Sequence, residues 1–158
     1  KGVRLLVNDR ADIAACLGLG VHLTTRSMTA ATIRQTFGRE MFIGASAHSL
    51  AEAREAERGG ANFVVFGPVF ETASKQAFGK PVGLEALQEV TTALKIPVLA
   101  LGGVKRSNMA ATLARGAAGI AAISLFTEAD DFASLMRTIK PHELLPCAAA
   151  ENDLNSET

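Results

Sequence analysis

Tryptophan and tyrosine are absent from this 158-residue chain, and its eight phenylalanines supply the whole 5% aromatic content. Without large stacking platforms the sequence is poorly equipped to hold single-stranded nucleic acid. Its 16 basic and 16 acidic residues cancel, so the basic footprint of a duplex binder is missing as well. No apolar run approaches the roughly 20 residues that a membrane span requires, and no signal peptide is legible where Lys1-Gly2-Val3 leads straight into a strand pattern. Cysteine occurs only at Cys16 and Cys147, outside any C-x-x-C or zinc-ligand spacing. The pair is read as one buried thiol and one tail thiol, which suits a reducing cytoplasm. The first residue is not methionine, so Lys1 need not be the natural start.

What is present is a rhythm. With 48% hydrophobic and 20% charged residues, the chain has the make-up of a compact domain. Six short apolar runs recur: Val3–Val7, Gly20–Leu23, Met41–Ala45, Asn62–Phe66, Pro97–Leu101 and Gly119–Ile123. Most lack polar alternation, the pattern of parallel strands covered on both faces. Amphipathic helices are predicted over Ser49–Arg58, Leu84–Leu94, Asn108–Arg115 and Phe132–Ile139. Ser49 with Glu52 forms a capping-box pattern, and Gly59-Gly60 a stop. Strand followed by helix implies a parallel sheet with right-handed crossovers, either a barrel or an open doubly wound sheet. Residues 1–144 are taken as the domain and 145–158 as a flexible tail.

In parallel α/β architectures ligands sit at the carboxyl ends of the strands. The polar residues there are Asn8-Asp9-Arg10, Thr24 to Ser27, Ser46 to Ser49, the segment from Gly67 to Lys75, Gly102-Gly103, and Ser124 after Ile123. Glycines after a strand let backbone N–H groups approach an anion, so Gly102-Gly103 with Ser124 suggests a phosphate site; a ligand-free turn is the plainer alternative. Thr72, Ser74 and Lys75 offer hydroxyls and an ammonium to phosphate oxygens in a long loop. His48 lies just past a strand end, and imidazole is the side chain best suited to shuttle a proton near neutral pH, though a structural histidine is the commoner case. His22, inside a strand, is expected to be hydrogen bonded, and His142 lies in the tail. Asp9 is either a helix cap or a carboxylate for Mg2+. Gly18-Leu19-Gly20 precedes a strand, so it is not a dinucleotide fingerprint.

In order along the chain stand LLVNDRADIA, GVHL, IGASAHSLAEAREAERGGANFVVFGPVFET, SK, GL, IPVLALGGV and GIAAIS. This series resembles the thiamine-phosphate synthase/TenI family from about Leu5 to Phe126. The resemblance implies a (β/α)8 TIM barrel whose first two strand units are missing from this chain, together with the arginine and lysine they supply to a diphosphate. It implies an enzyme of thiamine biosynthesis acting on a phosphorylated thiazole.

Two activities share the family. The synthase joins an aminopyrimidine diphosphate to the thiazole phosphate with Mg2+, and its diphosphate leaves early, giving a cation-like pyrimidine. The TenI-type tautomerase aromatises a carboxythiazole phosphate with a histidine acid/base and no cofactor. By this resemblance Asn8 and Asp9 match the metal-side motif, Ser46 and His48 the S-x-H motif, and Thr72, Ser74 and Lys75 the pyrimidine/diphosphate loop. Gly102, Gly103, Ile123 and Ser124 match the thiazole-phosphate site. Synthases usually place a second Mg2+-binding aspartate where this chain has Ser27, and a hydroxyl cannot replace that charge. The expectation is therefore the tautomerase with His48 as acid/base. The synthase with Asp9 on Mg2+ is the alternative, and a silent thiazole-phosphate binder the third reading. A second copy of the chain, as a homodimer, stays open.

Overall fold

The computed structural model describes residues 3–72, 80–128 and 131–138. Six strands, β1 (Leu6–Asn8), β2 (Gly20–Leu23), β3 (Ile43–Ala47), β4 (Phe63–Phe66), β5 (Val98–Leu101) and β6 (Gly119–Ala121), form one sheet in sequential order. Every adjacent pair is parallel. The helices are α1 (Ala11–Cys16), α2 (Ala30–Phe37), α3 (Leu50–Arg58), α4 (Gly83–Ala93), α5 (Arg106–Ala114), α6 (Ser124–Thr127) and α7 (Phe132–Thr138). A doubly wound sheet reverses its strand order somewhere. Sequential order with right-handed crossovers instead keeps the helices on one face, so the sheet is a six-stranded arc of the barrel type, open among the described residues.

Each strand splits its side chains between two environments. Val21, Leu23, Ile43 and Ala45 pack against Ala11, Ala14, Ala30 and Ile33 of the first two helices. Val64, Phe66, Val98 and Ala100 meet Ala53, Leu87 and Val90 of α3 and α4. The alanines allow close helix–sheet approach. On the opposite face Asn8, His22 and Gly44 stand in register, as do Ser46, Val65, Leu99 and Gly119. Gly44 is small for a reason: a Cβ there would run into the Phe63 ring. That ring stacks on Phe42 at 5.6 Å between centroids.

β3 sits two residues beyond its expected span. Ser46 stays in the strand, although polar, because its hydroxyl lies 2.9 Å from His22 Nε2; the expected hydrogen bond of His22 is thus found. β1 is shorter than expected, and β6 ends at Ala121. Helices α1, α2 and α6 were not foreseen, since each is short. α2 is started by Thr29, whose hydroxyl accepts the Thr32 N–H at 3.2 Å. Cys16 is exposed, contrary to expectation: α1 turns Ala11 and Ala14 to the sheet, and two further residues carry Cys16 away from that face. Cys147, His142 and the proposed tail lie outside the described residues.

A dense polar tie is made by Arg34, which the sequence pattern did not single out. Its guanidinium donates to Gly60 O at 2.8 and 3.0 Å, Asn62 Oδ1 at 2.8 Å, Arg39 O at 2.9 Å and Met41 O at 2.5 Å. Asn62 Oδ1 also accepts the Ile43 N–H at 2.7 Å, so one side chain joins α2 to the entries of β3 and β4. Burial lowers the Arg34 pKa, partly offset by Glu40, yet an arginine stays charged at any working pH. Arg34→Ala is expected to cost about 3 kcal/mol in urea unfolding, since it leaves several carbonyls without a donor. Arg34→Lys should recover less than half of that, because an ammonium cannot reproduce the fork.

Candidate functional site

The carboxyl ends of the strands form one rim, and the chain sets its polar residues there by simple adjacency. Asn8 is the last residue of β1, His48 directly follows β3, Gly102-Gly103 follow β5, and Ser124 opens α6 just past β6. Asn8, His22 and Ser46 share the face away from the helices. Ser74 and Lys75 lie outside the described residues.

Asp9 has φ of 66°, alone among the described non-glycine residues in being left-handed. Its N–H donates to His22 O at 2.9 Å, and its carbonyl accepts the Ala11 N–H at 3.1 Å. The sharp turn lets the chain leave β1 and enter α1 within two residues. It is not a side-chain cap: Arg10 holds the cap position, without a side-chain cap bond. Arg10 itself turns to Asp12, with two hydrogen bonds of 2.9 and 2.6 Å. Chiefly that side-chain hydrogen bond holds the Asp12 carboxyl down at about 2.

The loop after β2 closes on itself. Ser27 Oγ accepts the Thr24 N–H at 2.8 Å and lies 3.0 Å from Thr24 Oγ1. The hydroxyl standing in for the expected carboxylate is therefore spent inside the turn. A groove of about 440 Å³ opens beside it, bordered among others by Thr25, Ser46, Glu52 and Glu55. Gly103 and Ser124 do not border that groove, which runs between α2 and α3 as far as Gly59.

At the start of α3, Ser49 Oγ accepts the Glu52 N–H at 3.2 Å, half of the expected capping box. The other half is displaced by one residue. Glu52 Oε2 accepts the His48 N–H at 2.7 Å, not that of Ser49, and lies 3.3 Å from His48 Nδ1. Glu52 was foreseen as a cap and not as a partner of the histidine.

Beyond β4, the segment from Gly67 runs beside the end of β5. Val69 N–H donates to Leu101 O at 2.8 Å, and Phe70 N–H to Gly102 O at 3.0 Å. Thr72 stands where the described chain stops; on its return Val82 N–H bonds Pro68 O at 2.8 Å. This neighbour explains the glycine pair. With φ of 93° and 63°, Gly102 and Gly103 adopt a conformation that suits glycine. A Cβ on Gly102 would sit 2.5 Å from Pro68 Cβ, and one on Gly103 would strike Glu71 O and Phe70 Cβ. Both glycines are thus required by packing before any ligand is considered. Asn108 completes the corner: its Oδ1 accepts the Lys105 N–H at 2.7 Å and its Nδ2 donates to Gly103 O at 3.1 Å. Ile123 is 79% exposed at the turn into α6.

Among the described residues no three His, Cys, Asp or Glu groups gather as a metal cluster, and no helix is long and apolar enough to cross a membrane.

The parallel arc, with polar residues along its strand ends, defines a barrel-type α/β protein. The model of the family described as thiamine monophosphate synthase matches residues 1–126; the chain belongs to that family. It is similar to the thiamine-phosphate synthase of Chlorobium luteolum, at 46% identity over 82% of this chain and 61% of the relative. The thiamine-phosphate synthase of Chloroflexus aurantiacus is 38% identical over 88% of this chain and 64% of the relative. Among solved structures, thiamine phosphate pyrophosphorylase from Pyrococcus furiosus aligns with a TM-score of 0.74 and 33% identity, covering 87% of this chain and 65% of that one. The chain therefore spans about three-fifths of the length of the curated relatives it matches. These relatives carry the synthase name and not that of a tautomerase, which weighs against the reading favoured from Ser27 and for its alternative.

Proposed function

We propose that the chain is the larger part of a cytoplasmic thiamine-phosphate synthase, which joins an aminopyrimidine diphosphate to a thiazole phosphate and releases diphosphate. The observation that carries this reading is the name borne by relatives 38% to 46% identical across more than four-fifths of the chain. In this reading the six strands are the third to eighth of a (β/α)8 barrel. Asn8 and Ser46 hold the pyrimidine side, where their registers bring them beside His22. Thr72, Ser74 and Lys75 take the diphosphate, and backbone N–H groups at Gly102, Gly103, Ile123 and Ser124 take the thiazole phosphate.

Mg2+ usually takes one or two carboxylates and fills the rest of its shell with phosphate oxygens and water. A lone Asp9 at the rim fits that habit, while Ser27, closed on Thr24, adds nothing. When bound, the ion would neutralise charge on the departing diphosphate. The residues of this chain do the rest: they orient two phosphorylated rings and surround a cation-like pyrimidine with neutral dipoles such as the Ser46 hydroxyl.

A second reading keeps the tautomerase, because His48 carries a carboxylate partner of the kind that orients a proton-transferring imidazole. The natural full-length protein decides between them. Both synthase substrates with Mg2+ should yield thiamine phosphate and diphosphate. Metal-independent aromatisation of a carboxythiazole phosphate, with no coupling product, would overturn the synthase.

A further inference from the structure

We propose that Glu52 is a positioning residue for His48, fixing which ring nitrogen carries the proton. This rests on the reading that His48 faces the ligand. Glu52 is the third residue of α3, itself anchored through its N–H to Ser49 Oγ at 3.2 Å. From that fixed point one carboxylate oxygen takes the His48 N–H at 2.7 Å and approaches Nδ1 at 3.3 Å. An ionised carboxylate is acceptor only. The contact therefore favours the neutral tautomer with the proton on Nδ1, and leaves Nε2 with its lone pair, ready to accept a proton. A backbone anchor and a ring contact from one oxygen tie the imidazole to the end of β3 more firmly than either would alone. Glu52 also borders the 440 Å³ groove between α2 and α3, so its carboxylate stands beside open volume. Both partners are partly open, with 32% and 44% of their side chains accessible.

A helix cap alone would need none of the ring contact, and that difference is what the experiment reads. The 158-residue chain, labelled with 15N-histidine, is examined by long-range 1H–15N correlation well above the usual histidine pKa of ~6.5. The His48 signals are assigned by their loss in His48→Asn. The Nδ1–H pattern is expected for His48 in the unaltered chain and the Nε2–H pattern in Glu52→Ala. Glu52→Gln, whose amide oxygen still accepts, should give an intermediate population and serves if the alanine variant does not fold. An unchanged tautomer in a folded Glu52→Ala or Glu52→Gln chain would overturn the proposal. Turnover of the natural full-length protein should fall about 10-fold in Glu52→Ala, in the range for a group that orients a functional imidazole, and Glu52→Gln should restore part of it. A tautomer that shifts while His48→Asn keeps full turnover upholds the positioning and sinks only the reading that His48 faces the ligand.

Discussion

Gly67→Ala is expected to leave the chain without a stable fold, at a cost above about 4 kcal/mol. Gly67 ends the run from β4 into the site loop, and its N–H donates to Ala47 O at 3.2 Å. An added Cβ would overlap the Leu101 carbonyl oxygen and sit 2.9 Å from its carbon. The obstacle is backbone, and that backbone is not at liberty to move. Leu101 O already accepts the Val69 N–H at 2.8 Å, and β5 is held between β4 and β6. Relief would require separating the loop from β5, which would also dismantle the Gly102-Gly103 corner. Urea unfolding with circular dichroism should show little or no cooperative transition. Gly18→Ala is the control: φ is 62°, but a Cβ there meets nothing within 4 Å, so only left-handed strain of about 1–2 kcal/mol applies. A cooperative Gly67→Ala transition within 1 kcal/mol of the control, a margin set as roughly the effect of an average substitution, would refute the packing argument.

This corner also changes how the proposed phosphate site can be tested. A bulky residue at Gly103 looks, from sequence, like a clean block to ligand binding. The structure shows that it would first collide with Phe70 and Glu71, so lost binding would not distinguish a blocked site from a broken one. The glycine pair was legible as a special backbone feature; its packing partner was not, because Phe70 lies some thirty residues earlier. The same distance hid Arg34, whose acceptors Gly60 and Asn62 belong to another strand–helix unit. Local signals fared better. Gly20–Leu23 appeared as a strand with its limits intact, and Ser49 was recognised as the α3 cap. The six-unit rhythm was legible because most of the strands are short, nearly continuous apolar runs. Short helices such as α1 escaped, since six residues give too few turns for a period to declare itself.

The two chemistries offered for this rim separate most sharply in a pair of isosteric substitutions. Asp9→Asn removes a charge and little else. Asparagine tolerates the left-handed region well, so the φ of 66° is retained and stability should shift by no more than about 0.5 kcal/mol. Asp9→Ala confounds the test, because it adds backbone strain of about 1–2 kcal/mol. If Asp9 supplies the carboxylate for Mg2+, the synthase should lose about 100-fold in turnover in Asp9→Asn, the scale for removing one preorganised electrostatic contact, and should need more Mg2+ to saturate. A tautomerase has no use for that charge. Its turnover should instead collapse in His48→Asn, by about 100- to 10,000-fold for a lost general acid/base, with affinity for the phosphorylated product nearly unchanged, since the phosphate is proposed to sit on Gly103 and Ser124 and not on His48. In the synthase a dissociating diphosphate asks for charge neutralisation more than proton removal, so His48→Asn should cost less than Asp9→Asn. The measurement is turnover of the natural full-length protein with each substrate set, at several Mg2+ concentrations, beside the melting temperature of each variant. Asp9→Asn at full activity in the coupling reaction, with an unshifted Mg2+ dependence, would remove Asp9 from the synthase chemistry.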